Sequence, residues 1–414
     1  MAHMLMAPYG TLGDILPLMA LAHELESRGH ATTFCVPPDY VTTVSGHGFA
    51  CHPCGSPFGA HLRGTYNEAT ILKRVFDEVG RQFKDLAPFV ERADCVIGSM
   101  LQVAAPSLCE YYAKPYAYAI FSPCYLESHE IPVPMPLGRS RKLIIRRASL
   151  IKAMFAMRSA MTPWFTRTLT RARDALNLPP VKHMYQYLAC SGLLFAAFDP
   201  ELTPKPTDVE EGVVTGHWAW SGDPAPDPSL TAYLNNGTPP IYCGLGSMHH
   251  HSAKSVVQQF VQACRDLGER ALVVHPHASQ WQLGSDVLVA RHVPHRHVLP
   301  HCRLAVHHGG AGTVAVTARS GLPQMVVPHL GDQFFHAQRV AELGLGPPSL
   351  PVRKLKGDTL FARLKEALEP RYLQNAKNMA ARLDNKGVVC AADLLDRSLT
   401  KALAKTDHAS SQCD

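Results

Sequence analysis

The chain has 414 residues, of which 46% are apolar and 18% are charged, and its formal net charge at neutral pH is +6. This composition excludes an intrinsically disordered protein, and the length predicts two domains of about 200 residues each. The first residues, "MAHMLMAPYG", lack the basic and apolar regions of a signal peptide. The sequence has no uninterrupted apolar run of about 18 residues, so it predicts no helix that spans a membrane. We therefore expect a cytoplasmic protein.

Apolar strands alternate with amphipathic helices along the first half of the chain. The first elements are a strand at "MLMAP", a helix at "LPLMALAHELESRGH" that ends at Gly29, and strands at "ATTFCVP" and in "GFACHPCGSPFG". They are followed by a strand at "DCVIGSM", a helix at "LQVAAPSLCEYYA", and strands at "PYAYAIF" and "GLLFAAF". This alternation is typical of a parallel sheet covered by helices.

Prolines and glycines are frequent between Asp199 and Pro240, which makes this stretch the candidate linker between two domains. A second alternation follows. It has strands at "PIYCGLGS", "RALVVHP", "DVLVA", "RLAVHH" and "QMVVP", with helices at "SVVQQFVQACRDLG" and after the glycine turn. The sequence therefore predicts two doubly wound α/β domains that face each other across a cleft. Ligands of such sheets bind at the carboxyl ends of the strands, so motifs at those ends are the candidate sites.

Asp14 follows the first strand, in "YGTLGDILP". At the start of a helix its carboxylate serves either as a cap of the helix N-terminus or as a catalytic group, and the spacing alone favours the cap. Ser247 lies in "CGLGSM", after the first strand of the second half. It offers a hydroxyl within a glycine turn, which by itself is only a turn.

Two further motifs follow later strands. In "VHHGGAGTVAVTARSG" closely spaced glycines precede a helix, and the free N–H groups of a helix N-terminus favour an anion such as phosphate. His308 and Thr313 add side-chain donors, and the alternative is a purely structural turn. In "VPHLGDQFFHAQRV", Asp332 and Gln333 place a carboxylate beside an amide, which suits vicinal sugar hydroxyls; the alternative is a helix N-cap.

Cysteine spacing offers one candidate metal or redox site. Twelve cysteines are scattered along the chain, and Cys51 and Cys54 form a C-x-x-C in "CHPC". Without a second pair, this motif favours reduced, unpaired thiols over zinc or redox chemistry. We therefore predict no bound metal.

A basic segment lies between Arg139 and Arg173. It contains ten lysines or arginines and no acidic residue, interleaved with leucine, isoleucine, methionine and phenylalanine. Such a segment suits an anionic membrane surface or an acidic, apolar substrate, and the alternative is a solvated helix face. Nucleic acid is disfavoured, because no aromatic platform accompanies the charges.

The motifs together resemble the UDP-glycosyltransferase superfamily of GT-B fold, and in particular its bacterial branch acting on antibiotics, lipids and sterols. The matching segments are "GTLGDILPLMALAHELESRGH", "GLGSM", "RHVPHRHVLPHC", "HHGGAGT" and "GLPQMVVPHLGDQ". The resemblance implies an acceptor-binding domain 1–215, a linker 216–236 and a nucleotide-sugar-binding domain 237–387. It also implies a C-terminal helix 388–404 that crosses back to the first domain; residues 405–414 are expected to form a disordered tail.

The resemblance assigns roles to the strand-end residues. The positions that hold the diphosphate match Ser247, His308, Gly310, Gly312 and Thr313. The segment that packs on the base, uracil or thymine, matches His292, Val293 and His295, with His292 where plant relatives carry a stacking tryptophan. The pair that binds the transferred sugar matches Asp332 and Gln333, in the form found in glucose-using members.

Asp14 departs from the commonest form of the family. Many relatives have a histidine there with a carboxylate partner, whereas the partner region of this chain holds Gly98 and Ser99. Some bacterial members resemble this chain in carrying aspartate, which implies that Asp14 is the catalytic base rather than only a cap. A carboxylate with a pKa of about 4 accepts the proton late, when the attacking oxygen has become acidic.

The resemblance thus implies an inverting, metal-independent transfer of a hexose, glucose above all, from a UDP- or dTDP-sugar to a hydroxyl. The acceptor would be an apolar small molecule or lipid, at the candidate contacts Thr11, Phe58, Phe121, Met135, Met154 and Phe155. The basic segment 139–173 would allow peripheral contact with the inner face of the membrane. The alternatives are a nucleotide-sugar epimerase and a non-catalytic sugar-nucleotide-binding partner subunit. A dehydrogenase is disfavoured, because neither half has a full dinucleotide fingerprint.

Overall fold

Two parallel sheets, one in each half of the chain, form the framework of the computed structural model. It describes residues 1–64, 68–131, 166–189, 192–245, 253–350, 355 and 357–410. The first sheet has the strand order β3-β2-β1-β4-β5-β6-β7, and every neighbouring pair is parallel. Its strands are β1 His3–Ala7, β2 Ala31–Val36, β3 Ala50–Pro53, β4 Cys95–Ser99, β5 Tyr116–Ile120, β6 Gly192–Ala196 and β7 Val213–Val214.

Helices cover both faces of the first sheet, which explains why its central strands are almost continuously apolar: neither face meets water. These helices are α1 Leu12–Ser27, α2 Val41–Gly46, α3 Phe58–Leu62, α4 Glu68–Asp77, α5 Val79–Arg92, α6 Ala105–Tyr111, α7 at residues 166–174 and α8 Met184–Ala189. As predicted, α1 stops before Gly29, whose φ of +86° is one that glycine adopts readily.

The second sheet has the order β10-β9-β8-β11-β12 and is also parallel throughout. Its strands are β8 Ile241–Gly244, β9 Ala271–Val274, β10 Val287–Ala290, β11 Leu304–His307 and β12 Gln324–Val326. The remaining helices are α9 Pro228–Asn235, α10 Ala253–Asp266, α11 His295–Val298, α12 Ala311–Arg319, α13 Gln333–Glu342, α14 Gly357–Ala367, α15 Pro370–Ala380 and α16 Gly387–Ser410. The prediction of two doubly wound α/β domains is confirmed.

Each sheet has a point at which the strand order reverses. In the first sheet it lies between β1 and β4, and in the second between β8 and β11. The connections that leave two such neighbouring strands diverge to opposite faces, and the crevice between them is where ligands bind. The segments that follow these four strands therefore define the candidate site.

The last helix, α16, packs against the first domain. Apolar residues of α16, Ala392 and Leu395 among them, pack in one core with Leu25 of α1. Arg28, the C-cap residue of α1, donates hydrogen bonds to Asp393 at 2.7 Å and to Asp396 at 2.9 Å. The sequence predicts a disordered tail from residue 405. In the structure α16 instead continues to Ser410, because no helix-breaking residue follows Gly387. Residues 411–414 lie outside the described residues.

The two domains are joined by an ion pair as well as by the chain. Asp199, after β6, accepts two hydrogen bonds from Arg319 at the end of α12, at 2.6 and 2.7 Å. The Asp199 side chain is only 5% exposed. The predicted linker 216–236 is itself folded: Trp218 is buried against Phe195 of the first domain, and Leu230 packs into the second. Among the residues that the structure describes, no helix combines the length and hydropathy needed to cross a membrane.

Candidate active site

Asp14 lies in the first turn of α1, at the switch point of the first sheet. The helix is capped by Thr11, whose hydroxyl accepts a hydrogen bond from the N–H of Gly13 at 3.2 Å. In return, the N–H of Thr11 donates to the Asp14 carboxylate at 2.9 Å. The cap predicted from spacing thus belongs to Thr11, because the helix begins three residues earlier than a cap at Asp14 requires; Asp14 completes a capping box from inside the helix.

The backbone turn before α1 leaves room for this carboxylate. A Cβ atom on Gly10 would lie 2.0 Å from Oδ2 of Asp14, so a side chain there would displace it. Gly10 was not singled out from the sequence, because its steric role depends on where Asp14 points. Ser99, at the end of β4, accepts a hydrogen bond from the N–H of Tyr9 at 3.2 Å. It therefore holds the turn rather than replacing the carboxylate partner that relatives have.

The carboxyl of Asp14 has an unusual affinity for its proton. Burial raises the pKa of Asp14 to about 7, the hydrogen bond from Thr11 opposes that shift, and the negative charge of Asp332 adds to it. Tyr40, on the same side of the cleft, has its pKa raised by burial and by the charges of Asp39 and Asp14. Asp14 can therefore exchange a proton close to neutral pH.

The second domain presents the glycine turn at its own switch point. Gly310 is the N-cap residue of α12, and no side chain caps this helix, so the N–H groups of its first turn remain open. A Cβ on Gly310 would lie 2.6 Å from Nε2 of His308, so a side chain there would displace the imidazole. A Cβ on Gly312 would meet nothing within 4 Å, so that face is open to a ligand. Thr313 is partly exposed beside it.

His308 lies over this turn as a neutral imidazole. Burial lowers the pKa of His308 to about 4, although the charge of Asp332 and the carbonyl of Gly244 favour its charged form. Its Nδ1 is buried and has no hydrogen-bond partner. A bound diphosphate would favour protonation, because it brings negative charge to the ring.

Asp332 and Gln333 begin α13. Asp332 occupies the N-cap position, yet its carboxylate makes no capping hydrogen bond and stays 19% exposed. It is therefore available to a ligand. Oδ2 of Asp332 lies 3.4 Å from Nε2 of His336, a buried residue that the sequence did not indicate. The Gln333 side-chain oxygen accepts hydrogen bonds from the N–H groups of His329 and Leu330, at 2.8 and 3.1 Å.

The segment assigned to the base follows β10. His292 is exposed, whereas the Val293 side chain is buried in the core of the domain and leaves only its backbone for a base. Nε2 of His295 is 2.7 Å from the hydroxyl of Tyr242, and burial lowers the pKa of His295 to about 4. The charges of His292 and His308 contribute to that shift, so the three imidazoles are neighbours.

The predicted acceptor contacts lie in different surroundings. Phe121, after β5, is partly exposed and lines a small cavity between the domains with Ala311 and His336. Phe58 is 3% exposed and packs edge-on against Tyr9. Thr11 caps α1. Met135, Met154, Phe155 and, on the donor side, Ser247 lie outside the described residues.

The end of the basic segment is described, and one of its charges is used internally. Arg173, on α7, is 3% exposed and donates hydrogen bonds to Ser107 at 2.8 Å and Glu110 at 2.9 Å. It cannot meet a membrane, because its partners hold it inside the domain. Arg167 and Arg171, on the same helix, are exposed. Cys51 is partly exposed and Cys54 is buried, both as free thiols.

Two doubly wound domains whose switch points face each other form a GT-B architecture. Residues 271–388 match the family of erythromycin biosynthesis protein CIII-like C-terminal domains. The chain is 31% identical over 401 residues to vancomycin aglycone glucosyltransferase of Amycolatopsis orientalis, covering 94% of this chain and 96% of the relative. It belongs to the UDP-glycosyltransferase superfamily, and it is a nucleotide-sugar-dependent hexosyltransferase of the natural-product type.

Solved structures agree with this assignment at the level of the fold. The glycotransferase of kitacinnamycin superposes with a TM-score of 0.72 at 19% identity, covering 96% of this chain and 99% of the other. The glycosyltransferase VinC, solved in complex with dTDP, superposes with a TM-score of 0.70 at 21% identity, covering 96% of this chain and all of VinC (100%).

Proposed function

We propose that the protein transfers glucose, with inversion and without a metal ion, from UDP-glucose or dTDP-glucose to a hydroxyl of an apolar acceptor. The observation that carries this proposal is the position of Asp332. Its charge acts both on Asp14 of the first domain and on His308 of the second. A base, a sugar-binding carboxylate and an anion-binding turn therefore meet at one cleft.

The proposed mechanism follows from the positions of Asp14 in the first domain and of the glycine turn in the second. The acceptor hydroxyl attacks the anomeric carbon from the side of Asp14, and the diphosphate leaves toward His308 and the first turn of α12. Attack and departure on opposite faces invert the configuration in one displacement. The helix N-terminus and the His308 N–H stabilise the charge that develops on the leaving oxygen, which supports a mechanism without a metal ion.

A base with a raised pKa makes this reaction faster at neutral pH than an ordinary carboxylate would. With a pKa of about 7, Asp14 is half ionised at pH 7 and binds a proton more tightly than a carboxylate at its usual value. In the free enzyme, kcat/KM should rise with pH and level off above about 7, because the ionised carboxylate is the active form.

The sugar and the acceptor are argued from the remaining contacts. Asp332 accepts hydrogen bonds, while Gln333, whose oxygen is already occupied, has its amide N–H groups left to donate. Such a pair suits two vicinal hydroxyls, and the glucosyltransferase named above supports glucose. Phe121 at the cleft supports an apolar, lipid-like acceptor. The exposed Arg167 and Arg171 support either an acceptor that carries an acidic group or contact of the protein with the cytoplasmic face of a membrane.

The test is release of UDP or dTDP from the two glucose donors, with EDTA present, across a panel of hydroxylated apolar acceptors. Turnover with one donor, and a product of inverted configuration, is the expected result. A requirement for added divalent metal, or a retained configuration, would contradict the mechanism. Preference for neutral, strongly polar acceptors would contradict the acceptor class.

A further inference from the structure

The first histidine of the "HHGG" turn is fully buried, and the proposed function gives it no role. His307 ends β11, the strand that pairs with β8 on one side and β12 on the other. Each ring nitrogen of His307 takes part in one hydrogen bond. Nδ1 is 3.1 Å from the N–H of Gly309, and Nε2 is 2.9 Å from Oε1 of Gln324, which is also fully buried.

The donor and acceptor of each of these linked hydrogen bonds follow from one group that can only donate. A backbone N–H only donates, so Nδ1 of His307 accepts from Gly309 and the ring proton is on Nε2. That proton is donated to Oε1 of Gln324. The amide group of Gln324 in turn donates to the carbonyl of Val314, in the first half of α12, at 3.3 Å.

These bonds connect the two parts of the anion-binding turn. Gly309 has a φ of +92°, and a Cβ there would lie 2.6 Å from Val326, so its backbone is packed tightly against β12. The N–H of Gly309 is directed inward to His307, and the N–H groups that follow at the start of α12 have no side-chain cap. At the other end, Gln324 holds α12 itself through Val314.

We propose that His307 and Gln324 are positioning residues for the donor diphosphate: they fix the glycine turn and α12 in the orientation that presents His308 and the helix N–H groups to the phosphates. The inference rests on the proposed donor site. Neither residue contacts the substrate, so a positioning role must be distinguished from an ordinary contribution to the stability of the core. Loss of the bonds must weaken recognition of the diphosphate and not only the stability of the domain.

Three variants separate these effects. His307→Phe keeps a ring of similar size but leaves the N–H of Gly309 and Oε1 of Gln324 without their partner. In His307→Asn, Oδ1 takes the place of Nδ1 and can still accept from Gly309. Val273→Ala, in β9, opens a cavity in the same domain without touching the turn, and serves as the control for stability.

The measurement is calorimetric binding of UDP and dTDP, each with its nucleoside as a reference that lacks phosphates. We expect His307→Phe to raise the Kd of the diphosphate about tenfold, the equivalent of one well-placed hydrogen bond, with the nucleoside unaffected. His307→Asn should recover much of that loss, and Val273→Ala should bind like the unchanged protein. Nitrogen NMR of the imidazole should show the proton on Nε2.

Either of two results would overturn the inference while the donor site stands: unchanged diphosphate binding in His307→Phe, or a ring proton on Nδ1. An equal loss in His307→Phe and Val273→Ala would reduce the effect to stability and would also overturn it. If the unchanged protein binds neither UDP nor dTDP, the proposed donor site itself is wrong.

Discussion

Replacing Asp14 by asparagine should stabilise the fold while it removes activity, and the gain should depend on pH. In the folded protein the pKa of Asp14 is raised from 3.8 to about 7. At one unit per about 1.4 kcal/mol, ionising this carboxyl costs the folded state about 4 kcal/mol at pH 8. Asparagine carries no charge, and its Oδ1 can still accept the N–H of Thr11.

The sign of the pH dependence follows from the raised pKa. The protonated carboxyl favours the folded state, so its contribution is complete below pH 3.8 and is lost as the pH rises to about 7. The advantage of Asp14→Asn in the free energy of unfolding should therefore grow by about 2–3 kcal/mol between pH 5 and pH 8 and then level off.

Urea unfolding of both proteins at several pH values measures this difference. The same substitution at the exposed Asp174 is the control for the loss of one carboxylate. Sugar transfer by Asp14→Asn should fall by about 10²–10⁴-fold, the usual contribution of a general base. A difference in stability that is flat with pH, or an undiminished transfer rate, would refute this reasoning.

Three other outcomes are expected. Gly10→Ala should lower kcat about 100-fold at unchanged donor Kd, because its Cβ displaces the Asp14 carboxylate; kinetics with saturating donor check this. Asp332→Asn should move the rise of the kcat/KM profile to lower pH, since a charge that raises the pKa of Asp14 is gone, and should increase the donor KM. Asp199→Asn should cost about 3 kcal/mol in urea unfolding, because Arg319, whose side chain is only 13% exposed, keeps its charge without its carboxylate.

The sequence predicted the strands well where both faces are buried. "MLMAP", "DCVIGSM" and "RLAVHH" correspond to β1, β4 and β11, because continuous apolar runs mark strands of a covered parallel sheet. It did not indicate β7, whose two residues, Val213–Val214, are too few for a periodic pattern. Nor did it show that the predicted linker is folded, because the packing of Trp218 on Phe195 is a long-range contact that no local pattern encodes.

The candidate site was predictable as a set of strand ends but not as a set of interactions. His308, Asp332 and Asp14 each follow a strand, and parallel topology alone places such residues at the edge where ligands bind. The burial of Asp14 and, to a lesser extent, the charge of Asp332 depend on long-range packing, which is why the pKa of about 7 differs from the ordinary value assumed from sequence. The burial of His307 likewise depends on strands that flank it from elsewhere in the chain.

Capping and catalysis, which the sequence presents as alternatives for Asp14, are compatible in the structure. The carboxylate accepts the Thr11 N–H through Oδ2, which fixes its rotamer at the first turn of α1. Burial and the charge of Asp332 then raise its pKa despite that bond. A cap on a solvated helix would have its pKa lowered by the same bond, because nothing would oppose it. The capping box thus supplies the orientation of the base, and the facing domain supplies part of its basicity.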